Sequence, residues 1–177
     1  MLNRTALAGA LTLVVLAAPG RAASATSGTV TMEETTFKVV DAFAWEEPEQ
    51  EWTPDKKVIH AWLADHPLDH KALVAAKDLR VEMKRQGNKD VVVVELEFSP
   101  AGEWKGGTYK IAHQMCGIDC MSGAAKKATT KVTGDALTGA IHSKANDYED
   151  PMGPAIDLTL DARVERKLTT PAAQAVQ

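Results

Sequence analysis

Apolar and polar residues alternate with a period of two along most of the chain, which predicts β-strands. The cleanest alternation covers residues 155–166, where Asp, Thr, Arg and Glu separate an apolar series. That inward series consists of Ile156, Leu158, Leu160, Ala162 and Val164. Residues 37–45 and 57–65 also alternate, but they carry apolar side chains on both faces. We therefore expect both faces of these two strands to be covered.

Further strand-like segments follow at short intervals, with turn residues between them. They cover residues 28–32, 79–83, 91–98, 106–112, 130–134 and 137–142. Residues 70–77 are the one good helical window, and Asp69 is placed to cap it. About eight or nine short strands with one short helix predict an all-β domain. Its architecture is expected to be an antiparallel β-sandwich or a partly closed β-barrel, since both use the same alternation.

The N-terminal residues have the pattern of a secretory signal peptide over residues 1–25. A short basic start precedes the apolar run 6–18, which is too short to span a bilayer, and small residues follow at 23–25. A second cleavage point lies after Ala22. The folded domain is then expected over residues 26–167, and residues 168–177 are expected to form a disordered C-terminal tail.

The charge of the chain narrows the class of partner. The formal net charge is −4, and removal of Arg4 and Arg21 with the leader takes it to −6. An acidic chain without a stripe of Lys and Arg argues against nucleic acid and anionic membrane surfaces as partners. We expect a periplasmic or secreted protein with no membrane span in its mature chain.

Four short motifs resemble a loose group of uncharacterised bacterial secreted or periplasmic all-β proteins with an N-terminal signal peptide. The motifs are VDAFAW at 40–45, VIxAWLxDxPLD at 58–69, GxALTG at 134–139 and LDA at 160–162. The resemblance covers about two thirds of the mature chain and implies an exported location and a β fold. It brings no catalytic residues with it, and the cysteine-bearing segment lies outside the shared pattern.

The chain has two cysteines, Cys116 and Cys120. In an oxidising compartment, a closely spaced pair most simply forms a disulfide. A redox role is less favoured, because redox dithiols are usually separated by two residues at a helix start, and this pair is separated by three.

The same segment supports a second interpretation, a metal site. Soft sulfur ligands beside an imidazole suit copper, and thiolates also suit zinc. The candidate ligands are His113, Met115, Cys116, Cys120 and Met121. The disulfide interpretation requires no cofactor, whereas this alternative requires copper or zinc.

Three other groups of polar residues are weaker candidates. His66 and His70 have the spacing of a helical metal pair, but Pro67 makes a shared face doubtful, so surface positions at a helix start are favoured. His60 alternates with apolar residues and is expected to face the interior, whereas His142 is expected to be exposed. A late acidic run is interpreted as a solvated loop and not as a calcium site. That run contains Asp147, Glu149 and Asp150.

Motifs typical of enzymes are missing from the sequence, including a nucleophile elbow, a phosphate-binding glycine loop and His-Glu-x-x-His. We therefore expect no enzyme, but an exported protein that acts as a non-catalytic binding or structural module. A hydrolase whose site is assembled in space from residues far apart in sequence is the least favoured class. Its partner is expected to be an envelope protein or a small ligand. The alternative function is a periplasmic copper- or zinc-binding protein that uses residues 113–121.

Overall fold

A computed structural model describes residues 24–32, 34–50, 55–87, 93–111, 114–119, 127–144 and 153–171. This part of the chain forms ten β-strands and two short α-helices. In chain order they are β1 (Ser27–Met32), β2 (Thr35–Val39), β3 (Asp41–Pro48), β4 (Lys57–Ala64), α1 (His70–Ala75), α2 (Leu79–Gln86), β5 (Val93–Phe98), β6 (Trp104–Ile111), β7 (Gln114–Asp119), β8 (Lys131–Thr133), β9 (Ala136–Ser143) and β10 (Ala155–Lys167).

The long strand β10 joins the whole sheet. Its first part pairs antiparallel with β1 and with β9, and these strands pair in turn with β2 and β8. Its last residues pair with β3, from which the sheet continues through β4, β5 and β6 to β7. The result is a curled half-barrel, and one strand therefore connects the two arms of the fold.

The expectation of a β-rich domain is confirmed, whereas that of an antiparallel sandwich or barrel is wrong in two respects. The sheet is mixed, because β10 and β3 run parallel, with Val164 opposite Ala44 and Lys167 opposite Glu46. It is also a curled half-barrel and not a sandwich, so the partly closed barrel is the nearer of the two expected architectures. The physical reason is that alternation reports which face of a strand is buried, and it carries no information on the direction of its neighbour.

The main hydrophobic core lines one face of the curled sheet. It contains apolar side chains from β1–β6, β9 and β10, including all five inward residues predicted for β10. The opposite residues of β10, from Asp157 to Arg163, are exposed, as the alternation predicted. Each Å² of apolar surface removed from water contributes about 25 cal/mol to folding, so this core is the dominant stabilising element.

A smaller core lies on the other face, where both helices cover β3 and β4. It consists of Phe43, Trp45, Trp62, Ala64, Leu68, Leu73, Leu79 and Met83. The expected helix begins at His70 with Asp69 as its cap, which is confirmed. The strand expected at residues 79–83 is wrong, because this segment begins α2. Asp78 accepts a hydrogen bond from the N–H of Val81, and one helical face then buries both Leu79 and Met83.

The remaining segments differ from the predictions in detail. Residues 37–45 form parts of two strands that separate at Val40, and the cysteine-bearing segment contributes β7. Gly134 adopts a φ of 62° in the turn between β8 and β9, as its predicted hairpin role requires. The N–H of Leu168 donates to Glu46 O, so the structure extends into the segment expected to be a tail. Among the described residues, no helix has the length and apolar character needed to cross a membrane.

Candidate functional site

The buried Asp, Glu and His residues in the described part of the chain lie on the neighbouring strands β3, β4 and β5. Successive side chains of a strand point to opposite faces of the sheet. Because Val94, Leu96 and Phe98 of β5 pack in the main core, Glu95 and Glu97 face the helices. The register places His60 of β4 between Trp45 of β3 and Glu97 of β5. Rigid neighbouring strands therefore hold an imidazole and carboxylates side by side. We call Trp45, Glu47, His60, Arg80, Glu95 and Glu97 the His60 cluster.

The imidazole of His60 lies between two carboxylates. Its Nε2 is 3.1 Å from Glu47 Oε1, and its Nδ1 is 2.8 Å from Glu95 Oε1. The residue is only 6% exposed, and within the described part of the chain neither nitrogen makes a hydrogen bond of normal geometry. The Trp45 ring stacks on the imidazole at 4.9 Å, and its Nε1 donates to Glu47 Oε2 at 3.0 Å. These contacts fix both the ring plane and one of the carboxylates.

Arg80 of α2 ties the helix to this cluster. Its Nη1 and Nη2 donate to Oε2 and Oε1 of Glu95, and the contact from Nη2 to Oε1 is 2.9 Å long. Its guanidinium also lies 5.0 Å from the centre of the Trp45 ring, within range of a cation–π interaction. A bidentate contact of this kind positions the Glu95 carboxylate and also neutralises its charge.

The charges of the cluster follow from these contacts. Burial disfavours the imidazolium of His60, but the carboxylates of Glu47 and Glu95 outweigh it and raise its pKa to about 9. Burial likewise disfavours the Glu95 carboxylate, yet His60 and Arg80 lower its pKa to about 2. At neutral pH, in the absence of other ligands, the cluster therefore contains cations and anions in contact.

A second histidine is held in the same way. His70, the first residue of α1, places Nε2 3.0 Å from Asp41 Oδ2 and Nδ1 against Glu165 Oε1. Asp41 also accepts hydrogen bonds from the N–H groups of Ala42 and Leu68, at 2.8 and 2.9 Å. We call Asp41, His70 and Glu165 the His70 cluster. It joins α1 to β3 and β10, the two strands that form the parallel pair.

The ionisation of the His70 cluster follows the same physical rule. The hydrogen bond to Asp41 favours the imidazolium and, with the contact to Glu165, raises the pKa of His70 to about 9 against the cost of burial. Burial tends to raise the pKa of Asp41, but the hydrogen bonds from His70 and from the N–H of Leu68 lower it below its usual value. The protonated imidazole therefore stabilises the docking of α1 on the sheet.

The sequence-predicted sulfur site falls mostly outside the described residues. His113, Cys120 and Met121 lie there, so the Cys116–Cys120 disulfide and the copper or zinc set both stay predictions. Met115 and Cys116 belong to β7, where Cys116 stands opposite Tyr109 and Met115 opposite Lys110. Residues 114–119 of this segment form a strand.

The other predicted candidates have mixed outcomes. His60 is buried as expected, and His142 is exposed as expected, with its Nδ1 2.7 Å from Asp157 Oδ1. His70 is not the surface residue that was expected, since its side chain is 19% exposed. His66 contacts Asp65 and the carbonyl of Gln86, so the two histidines of the spacing motif do not share a site. The acidic run of Asp147, Glu149 and Asp150 lies outside the described residues.

Sequence reasoning missed most of the His60 cluster. It identified His60 as interior, but it did not connect Glu47, Arg80 or Glu95 with it. The available signal was a pair of glutamates alternating with core residues on β5, opposite a strand with two apolar faces. Charged side chains on a face that is otherwise covered require partners, which the sequence alone does not name.

Comparison with known proteins gives no match: no family model fits the chain, and no significant similarity is found to curated proteins or to solved structures. The resemblance to exported bacterial β-proteins therefore stays a prediction.

Proposed function

We propose that this chain is an exported protein of the bacterial envelope or exterior that acts as a non-catalytic binding module. The observation that carries the proposal is the environment of His60, which is buried, and of His70, which is partly buried. Every ring nitrogen of His60 and His70 faces a carboxylate that belongs to the fold. Such an arrangement holds polar groups in fixed positions, whereas a general base needs a nitrogen that reaches the substrate.

The architecture supports binding through rigidity. Arg80 attaches α2 to β5, and His70 attaches α1 to β3 and β10. Arg166 adds a further link, because its guanidinium donates to the carbonyl of Leu73 at 2.9 Å. Both helices are therefore fixed to the sheet by charged groups as well as by the smaller core. Fixed polar groups bind a ligand with little cost in conformational entropy.

A copper or zinc site at residues 113–121 is the second candidate function. It is favoured by the position of β7, which carries Met115 and Cys116 at one end of the described strand order. Soft ligands on such a strand, together with His113, Cys120 and Met121, suit copper or zinc. This candidate requires free thiols, whereas the binding module with a Cys116–Cys120 disulfide requires none.

The export proposal is tested by expressing the full chain in a bacterium and measuring its intact mass in each cell fraction. We expect a processed chain in the periplasm or medium that begins between residues 23 and 26. An unprocessed chain in the cytoplasm would contradict export.

The non-catalytic part of the proposal needs its own test. A panel of ester, peptide and glycoside substrates should give no turnover above that of buffer alone, both with the wild type and with His142→Gln, whose altered side chain is exposed. Turnover that disappears in a folded His70→Gln variant would show that the histidine acts in catalysis, and it would overturn the proposal.

A further inference from the structure

The His60 cluster contains a set of side chains with the composition of a metal site. His60, Glu95 and Glu97 each offer one ligand atom, and these atoms lie within 4.8 Å of one another. Two come from directly paired positions, since His60 stands opposite Glu97, and Glu95 is two residues earlier on the same face of β5. An imidazole with two carboxylates suits borderline divalent ions such as Zn²⁺. The three formal negative charges of Glu47, Glu95 and Glu97 exceed the one positive charge of Arg80 by two, which matches the charge of the ion.

The two ring nitrogens of His60 have different carboxylates as neighbours. Nε2 lies next to Glu47, whose other oxygen accepts the Trp45 N–H. A carboxylate behind the imidazole is the usual outer partner of a metal-bound histidine, because it fixes the ring and its tautomer. Nδ1 lies 2.8 Å from Glu95 Oε1 and, like Nε2, makes no hydrogen bond of normal geometry among the described residues. An ion between Nδ1 and the two β5 carboxylates would satisfy this nitrogen.

The neighbouring residues position the ligand side chains and leave one of them accessible to solvent. Arg80 donates hydrogen bonds to both oxygens of Glu95 and so positions the carboxylate. The oxygen Oε1, which accepts one of these bonds, also lies next to His60. Glu97 is partly exposed, and its neighbour on β6 is Gly106, which has no side chain to cover it. The site is thus closed on the Trp45 side and accessible on the Glu97 side.

We propose that His60 Nδ1, Glu95 and Glu97 bind a divalent transition-metal ion of the Zn²⁺ class, with Glu47 and Arg80 as positioning residues. The ion takes the place of the Nδ1 proton, which leaves to solvent, and Nε2 keeps its proton toward Glu47. This inference rests on the proposed binding function and names its ligand. It places the metal on the helix-covered face and not at the cysteines.

The test is a titration of chelator-treated full-length protein with ZnCl₂, followed by calorimetry and by tryptophan fluorescence. Glu97→Gln is the main variant, because its partly exposed side chain can be changed with little risk to folding. Glu103→Gln is the matched control, since the Glu103 side chain is exposed and forms a surface ion pair with Lys105. A Cys116→Ser, Cys120→Ser variant removes the thiols as a source of binding.

We expect about one Zn²⁺ per chain in the wild type, the Glu103 variant and the cysteine variant. We expect affinity to fall by about 10-fold or more in Glu97→Gln. Fluorescence should change on binding, because Trp45 stacks on the ligand His60. Equal affinity in the two glutamate variants, loss of binding in the cysteine variant, or no binding at all would each overturn the inference. A processed, exported protein that binds no zinc would leave the proposed function standing and remove only this site.

Discussion

Replacement of His70 by Gln should change the pH dependence of folding stability. The substitution removes the ionisable ring that joins Asp41 and Glu165, while Gln retains polar atoms at the end of the side chain. The folded-state pKa of His70 is raised to about 9 from the ordinary 6.5. Its contribution to stability is therefore fully present below about pH 6.5 and is lost as the pH rises through about 9.

The size of the effect follows from this pKa difference. A pKa shift of one unit corresponds to about 1.4 kcal/mol, which gives an upper limit of about 3 kcal/mol for His70. The ring is only partly buried, so solvent screening reduces this figure, and we expect about 2 kcal/mol. Between about pH 6.5 and pH 9, the free energy of unfolding should fall more steeply with pH in the wild type than in the variant. One bound proton sets the limit of this difference in slope, about 1.4 kcal/mol per pH unit.

The assay is urea unfolding in metal-free buffers at several values between about pH 6 and pH 10. His142→Gln is the matched control, because that side chain is 64% exposed and its partner Asp157 is exposed as well. The control should follow the wild-type curve, and the His70 variant should show a shallower decline. Parallel curves for wild type and His70→Gln would refute the argument that a protonated His70 joins α1 to the sheet.

Three further substitutions, two of them with matched controls, test the fold itself, each by the free energy of unfolding in urea. Asp78→Ala removes the cap of α2 and should cost about 1 kcal/mol, with no change in the m-value. Gly139→Ala should cost about 2–4 kcal/mol, because φ is 138° and a Cβ would lie 2.5 Å from a backbone oxygen. Gly134→Ala also has a positive φ but open space, so it should cost only about 1 kcal/mol, and equal costs would contradict the packing argument. Leu158→Ala should cost about 3 kcal/mol, whereas its exposed neighbour in Thr159→Ala should change stability by less than about 0.5 kcal/mol.

Local alternation predicted individual strands well where one face is apolar and the other polar. Residues 155–166 are the best example, because each inward side chain is buried and the outward ones through Arg163 are exposed. Helix α2 was missed because Leu79, Val81 and Met83 alternate as they would in a strand. The cap at Asp78 and the four-residue spacing from Leu79 to Met83 were the competing signals, and packing on the smaller core decided between them.

The candidate site was harder to predict than the strands. The sequence shows that His60 lies in an apolar strand and that Glu95 and Glu97 alternate with core residues. It does not show that β4 and β5 are neighbours in a register that brings them together, or that Arg80 of α2 reaches Glu95. Those contacts depend on strand order and on helix placement, which arise from the whole fold and not from local patterns.

The most direct test of the account combines a free-thiol count with metal analysis on mature protein isolated from the periplasm and then equilibrated with ZnCl₂. We expect a processed chain, no free thiol at Cys116 or Cys120, and about one zinc ion per chain. The bound zinc should be retained when both cysteines are replaced and weakened when Glu97 is replaced. Two free thiols with zinc that depends on them would contradict the account and would place the functional site at residues 113–121.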